Sequence, residues 1–520
     1  MSTATPSLAT IFRPVEGLAV GEPVKVVQRG KRRGIVYRDN SSGAFRTKHA
    51  RTYEEQEAAS LDALVWSLIA DPAFWSLAMT LPGNTCRTGR RGRPAHNPSW
   101  LFLLVAAIST LTGSQRSAIT YLNHPRTWRD LRQATRRHRP HGLDGLGRKP
   151  PQRHHFSTFL RKWESAAWEA VRLASHERFR ADACQRALGG GLFDATKELR
   201  YATVDHGQHV VFDGTVFKGP ADSRRASANG ENWQVKGGRE RVWGSKVVFA
   251  TTRTDDSQSR LVLDFEQVLG TTVSGVGDEA ASTITSATRL KAQLPGIRGL
   301  IVDSVLRGEH LSQLADQGVI VTNYPHALSN PDARTHGRLG PRRKEKKKQL
   351  RTLTHKRPNG TVCQHRLDVV GAVLYTPQYN ATGQLVPVEC PVVGFDSRRN
   401  PSGVHRFYLK VEVPCVHGSF TTKVPLYHED RHPDAIKGLN RGEYLRFYPP
   451  NTPQFQALYG RRNDSESFHR QVKRRLTRLP AYTSERQALF LTGLALASNA
   501  ATRAFTRRRD GLPNALDETE

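Results

Sequence analysis

The chain has 520 residues, a length that accommodates roughly two to four domains. Its 78 Lys and Arg stand against 47 Asp and Glu, and the net charge of +31 is spread from Arg29 to Arg509. A field of that size calls for a polyanionic partner, and nucleic acid fits best. The longest apolar run, Leu101 to Ile108, is far short of the ~20 residues that span a bilayer. The N-terminus lacks the charged-then-apolar pattern of a secretory signal, and five widely separated cysteines make no disulfide framework. The expectation is a cytoplasmic protein with reduced thiols and no membrane partner.

Residues 1–52 are polar and rich in Gly and Arg, which predicts a basic, loosely ordered arm. A helical region is expected over 53–195. Its first helix carries Ala63, Leu64, Trp66 and Leu68, and after a break at Pro72 a second carries Phe74, Trp75 and Leu77. A basic loop, Arg87 to Pro98, follows. Within it Arg91-Gly92-Arg93-Pro94 has the composition of an arm lying in an AT-rich minor groove, so Arg91 and Arg93 are candidate DNA contacts. The same four residues also read as a plain basic surface loop. Asn97 is placed to cap a helix that starts at Pro98 and continues through Trp100 to Leu111 with apolar residues all round, which predicts burial. Gly113 ends it. Ser114 starts a shorter helix with Ile119, Tyr121 and Leu122, and beyond Pro125 a third holds Trp128 and Leu131, an arrangement like a helix-turn-helix. A linker, Arg136 to Arg153, leads to a long amphipathic helix around Phe156 to Leu188.

From His209 the periodicity is that of strands. Over 196–330 the order is strand (Val210-Val211-Phe212), strand (Lys246 to Thr252), strand (Leu261 to Phe265), helix (Asp278 to Leu294), strand (Leu300-Ile301-Val302), helix (Glu309 to Asp316) and strand (Val319-Ile320-Val321). The wholly apolar later strands require cover on both faces, so a mixed sheet flanked by helices is predicted, in the element order that ribonuclease H-like folds use.

Residues 331–451 start with a dense cation run, Arg334 to Arg357, and continue as alternating segments from Val369 to Leu426, which predicts a basic, β-rich insertion. Cys363-Gln364-His365, Cys390 and Cys415-Val416-His417 lie here, without the paired short-spaced knuckles of ordinary zinc sites. They read as thiols in strands. After the Pro-rich break at 449–453, residues 452–510 are helical, with a break at Pro480, and 511–520 form a polar tail.

Two acids follow apolar strands directly: Asp213 after Val210-Val211-Phe212 and Asp303 after Leu300-Ile301-Val302. Either alone reads equally as a turn former or a cap. Further on, Tyr459, Arg462, Glu466 and Lys473 stand at relative positions 0, 3, 7 and 14, a stripe about 60° wide on one helix face. Phe468, Val472, Leu476 and Leu479 occupy an adjoining face suited to packing on a sheet, and Asp464 points elsewhere. Without the two aspartates the stripe reads as a solvated helix with spaced ion pairs.

Tyr459, Arg462, Glu466 and Lys473 match every defined position of the Y-x2-R-x3-E-x6-K signature, and the chain resembles the bacterial insertion-sequence DDE transposases that carry it. That resemblance implies a ribonuclease H-like catalytic domain with a β-rich insertion between the second Asp and the Glu, and an N-terminal helical DNA-binding region. It makes Asp213, Asp303 and Glu466 a triad that binds two Mg²⁺ ions, or Mn²⁺ as a substitute, and assigns Tyr459, Arg462 and Lys473 to DNA phosphates. The partners implied are terminal inverted repeats and target double-stranded DNA, bound by a homodimer. Some relatives stack a tryptophan from the insertion on a flipped base, whereas every Trp here lies at or before Trp243. Tyr375, Phe407 and Tyr408 are the aromatics available there, each as readily a core residue. The other class of reading is a DNA-binding protein that has lost catalysis.

Overall fold

A computed structural model of the chain describes residues 23–29, 32–38, 45–49, 53–83, 97–197, 201–220, 232–236, 240–254, 259–268, 278–325, 347–357, 359–426 and 440–509. Arg91, Arg93, the cations of 334–346 and the tail lie outside the described residues. The chain divides into two compact units, residues 1–66 and 67–520.

In the first unit, β1 (Pro23–Arg29), β2 (Arg32–Arg38) and β3 (Phe45–His49) form an antiparallel sheet in that order. The segment expected to be a loosely ordered arm therefore holds strands. Val26, Val27, Ile35 and Val36 are β-branched and suit a pleated backbone, a local signal that the high charge obscured. Helix α1 (Tyr53–Ile69) follows.

The second unit begins with α2 (Pro72–Ala78), whose cap Asp71 accepts a hydrogen bond from the Ala73 amide. In α3 (Ser99–Thr112) every residue from Ser99 to Thr110 is buried, as its apolar sequence requires. The cap position falls on Pro98 rather than Asn97, and Gly113 closes the helix at φ 77. Ser114 caps α4 (Gln115–Asn123) through the Ser117 amide, and α5 (Pro125–His138) turns Trp128, Leu131 and Thr135 inward while Arg126, Arg129, Arg136 and Arg137 face out. The single helix expected over Phe156 to Leu188 is two, α6 (Arg153–Glu164) and α7 (Glu169–Gly189). Ser165 between them is extended, at φ −65 and ψ 150, and its carbonyl accepts from Arg172.

The sheet at the centre of this unit contains β4 (His209–Lys218), β5 (Asn232–Lys236), β6 (Glu240–Thr252), β7 (Leu261–Val268), β8 (Gly299–Ile301) and β9 (Ile320–Thr322). Its order is β7-β6-β4-β8-β9, with β5 paired to the first part of β6 on the side where β7 takes the rest. The β7-β6-β4 half is antiparallel and the β4-β8-β9 half parallel. Helix α8 (Glu279–Gln293), capped by Asp278, and α9 (Gly308–Asp316) connect the later strands. Strands β8 and β9 are buried throughout, as expected of strands covered on both faces.

Among the described residues the insertion forms two antiparallel sheets. The first contains β10 (Lys347–Lys356), β11 (Val362–Val370), β12 (Val373–Tyr379) and β13 (Leu385–Glu389), and the second β14 (Val392–Arg399), β15 (His405–Val413) and β16 (Phe420–Pro425). Phe407 is fully buried, its ring edge-on to Tyr201 and Phe447 at 4.9 and 5.2 Å, so this aromatic is core.

Among the described residues three helices follow: α10 (Pro453–Tyr459), α11 (Arg462–Arg475) and α12 (Ser484–Arg509). Asn499 of α12 accepts from the Val262 amide at 2.8 Å and donates to the Val262 carbonyl at 2.9 Å, satisfying the outward backbone groups of that residue in β7. Helix α12 also packs on α3, and a Cβ at Gly493 would lie 2.7 Å from the Ala107 nitrogen. Among the described residues no single helix is long and apolar enough to cross a membrane.

Candidate active site

Asp213 does not sit beyond the end of its strand, as the sequence suggests, because β4 continues to Lys218 with β6 as partner throughout. What ends near Asp213 is the pairing on the other side: β8 accompanies β4 only through Val211. Asp213 and Gly214 are half-buried between the buried Phe212 and Thr215, so the carboxylate emerges at a notch in the sheet. Asp303 stands just past the neighbouring β8 and is exposed, its carboxylate accepting from the Ser304 amide at 2.8 Å. Parallel strands of unequal reach thus bring the two acids to one rim.

Glu466 arrives on α11. Phe468 and Val472 of this helix are buried, and the Phe468 ring meets Phe249 of β6 edge-on at 5.4 Å. Asp464 points away, as its helical position demands, and pairs with Arg253 and with Arg260 at 4.0 Å. The motif does not occupy one unbroken helix: α10 ends at Tyr459, and Gly460 and Arg461 form a joint before α11 starts at Arg462. Both joint residues keep right-handed helical angles, which is why the spacing still aims Tyr459 and Arg462 at one place.

One guanidinium contacts all three acids. Arg462 Nη1 lies 3.0 Å from Glu466 Oε1, and its Nη2 lies 3.4 Å from Asp303 Oδ2 and 3.9 Å from Asp213 Oδ1. Burial pushes Asp213 up to about 6; Arg462 opposes this, and Glu279, Asp303 and Glu466 add to it. Burial disfavours the Arg462 cation, yet Asp303, Asp213, Tyr459 and Glu466 together hold its pKa above the ordinary value. Tyr459 is stacked on Phe455 at 5.0 Å and edge-on to Tyr324 at 4.9 Å, and burial raises its hydroxyl pKa. Lys473 lies about two turns beyond Glu466 on α11.

Two further groups belong to the site. His469, one turn after Glu466, places Nδ1 3.4 Å from Asp213 Oδ2; burial, with Lys473, Arg260 and Arg462, lowers its pKa to about 3, so the ring is neutral at pH 7. Glu279, first residue of α8, pairs with Lys246 of β6 and adds a fourth carboxylate near Asp213. Gly214 leaves room for it, since a Cβ there would fall 2.1 Å from Glu279 Oε1. An acid in the first helical turn is ordinarily a dipole partner, so nothing in the sequence singled out Glu279.

The acids are hard oxygen donors gathered round a single cation, and burial raises the pKa of one of them, Asp213. Such a set suits a small divalent ion such as Mg²⁺ or Mn²⁺. No family model and no curated protein matches the chain.

Proposed function

We propose that the chain is an insertion-sequence DNA transposase with a ribonuclease H-like catalytic domain, acting at Asp213, Asp303 and Glu466. The observation that carries this reading is the meeting of those three acids, from β4, the end of β8 and α11, on the Arg462 guanidinium. The sheet order β7-β6-β4-β8-β9, antiparallel then parallel, supports the ribonuclease H-like assignment.

Asp213, Asp303 and Glu466 are the residues that would hold two Mg²⁺ or Mn²⁺ ions, which supply Lewis acidity at the attacking and leaving oxygens of a phosphodiester. Neutral His469 lies against the second oxygen of Asp213, and Asp303 is exposed at the rim, open to an incoming phosphate. Arg462, with Tyr459 beside it and Lys473 further along the helix, meets DNA phosphates, for which a planar guanidinium is suited. Arg91 and Arg93 are proposed contacts to double-stranded DNA. The enzyme acts on terminal inverted repeats and target DNA in the cytoplasm, at the nucleoid, as a homodimer that holds two ends.

The test uses duplexes made from the DNA flanking the reading frame. Glu466→Gln is expected to bind these ends as the wild type does and to lose Mg²⁺-dependent cleavage and strand transfer. Cleavage unchanged in Glu466→Gln removes the residue from the site. End binding without cleavage by the wild type, over a range of Mg²⁺ and Mn²⁺, supports the DNA-binding protein without catalysis.

A further inference from the structure

A second ligand cluster lies where the two sheets of the insertion meet, remote in sequence from the triad. His355 of β10 stands opposite Cys363 of β11 in the antiparallel register, and His365, two residues on, shares the Cys363 face. Cys415 arrives from the other sheet, two residues beyond β15. One donor atom from each of the four lies within 4.8 Å of all the others. The two sulfurs are 3.9 Å apart, against about 3.8 Å for two thiolates on one tetrahedral zinc with Zn–S bonds near 2.3 Å.

The surroundings fit a metal better than they fit a pair of thiols. His355 Nδ1 and His365 Nε2 are buried with no hydrogen-bond partner. A disulfide between Cys363 and Cys415 would leave both nitrogens unpaired; coordination accounts for one donor from each ring. Arg357 donates to Cys363 Sγ from Nε at 3.1 Å and from Nη2 at 2.8 Å, the kind of outer hydrogen bond that supports a thiolate ligand. Phe420 of β16 stacks on His355 at 4.3 Å and leans on His365 at 5.3 Å, holding both rings in place.

We propose that His355, Cys363, His365 and Cys415 bind one structural Zn²⁺ ion that clips the first sheet of the insertion to the second. Two thiolates and two imidazoles select zinc over the hard ions suited to the carboxylate site. The ligands come from strand register rather than from a short knuckle, so the spacing in the sequence does not announce them. Cys390 and His417, the other residues of the sequence pattern, take no part: Cys390 is buried after β13, and His417 is exposed.

Full-length protein purified with a phosphine reductant and no chelator is to be assayed for metal. About one zinc per chain is expected in the wild type, in Cys390→Ser and in Asp213→Asn, with Cys415→Ser nearly metal-free. Asp213→Asn separates this ion from any held by the triad. Should Cys415→Ser not fold, Co²⁺ added to metal-free wild type is expected to give thiolate charge-transfer and tetrahedral visible bands, lost when the thiols are blocked first. A wild type without zinc and without those bands, its Cys363 and Cys415 recovered as free thiols or as a disulfide, overturns the proposal.

Discussion

Arg446 Nε lies 2.6 Å from Asn323 Oδ1 in the interior, where both side chains are shielded from solvent. Asn323 in turn donates through Nδ2 to the carbonyls of Asp303 at 3.3 Å and Leu306 at 3.4 Å. A buried cation thus orients the amide that fixes the turn carrying the second acid. Asn323→Asp keeps an acceptor for Arg446 but removes the donor to Asp303. It is expected to stay folded and to lose most Mg²⁺-dependent cleavage while binding DNA ends. Wild-type cleavage would show that Asn323 does not set the turn. Arg446→Met, which strands several buried carbonyls, should cost about 3 kcal/mol or more in denaturant unfolding.

Asp213 gives a pH signature. Its carboxyl titrates near 6 in the fold against 3.8 in the unfolded chain, so the folded state binds the extra proton. Its contribution is fully present below pH 3.8 and is lost as pH rises through 6. Asp213→Asn should therefore raise Tm in EDTA at pH 7.5, by an amount equivalent to roughly 2–3 kcal/mol, and leave it nearly unchanged at pH 4. An equal gain at both pH values would separate the effect from ionisation.

Arg462 is the counter-charge of the three acids. In EDTA, Arg462→Gln should lower Tm by leaving Asp213, Asp303 and Glu466 to repel one another, and added Mg²⁺ should restore more of the loss than it adds to the wild type. Identical Mg²⁺ responses in the two proteins would mean that the acids hold no ion.

Gly493 is where α12 touches the backbone of α3. Alanine ordinarily stabilises a helix interior by about 1 kcal/mol relative to glycine. Here its Cβ would meet Ala107 N at 2.7 Å, and the helices must part. Gly493→Ala is expected to lower the urea midpoint. A raised midpoint would show that the helices have room to separate.

Much of this architecture is written in local pattern. Strong apolar runs announce β8, β9 and α3, and helical spacing alone separates Glu466 from Asp464. Less visible was anything set by partners distant in the chain. The continuation of β4 past Asp213 depends on β6. The placement of His469 depends on a strand some 250 residues earlier, and the meeting of His355 with Cys363 depends on register between strands. In β1 to β3 the β-branched runs are short and interspersed with charge, which masks their strand periodicity.

The Glu466 helix and the helix that seals β7 through Asn499 both follow the insertion. During synthesis, a chain grown as far as residue 450 carries Asp213 and Asp303 but neither Glu466 nor Arg462, and its β7 edge has no Asn499 to close it. If the site cuts DNA as proposed, a chain grown only that far is not yet able to do so, because the third acid and the Asn499 contact to β7 both await the residues after the insertion.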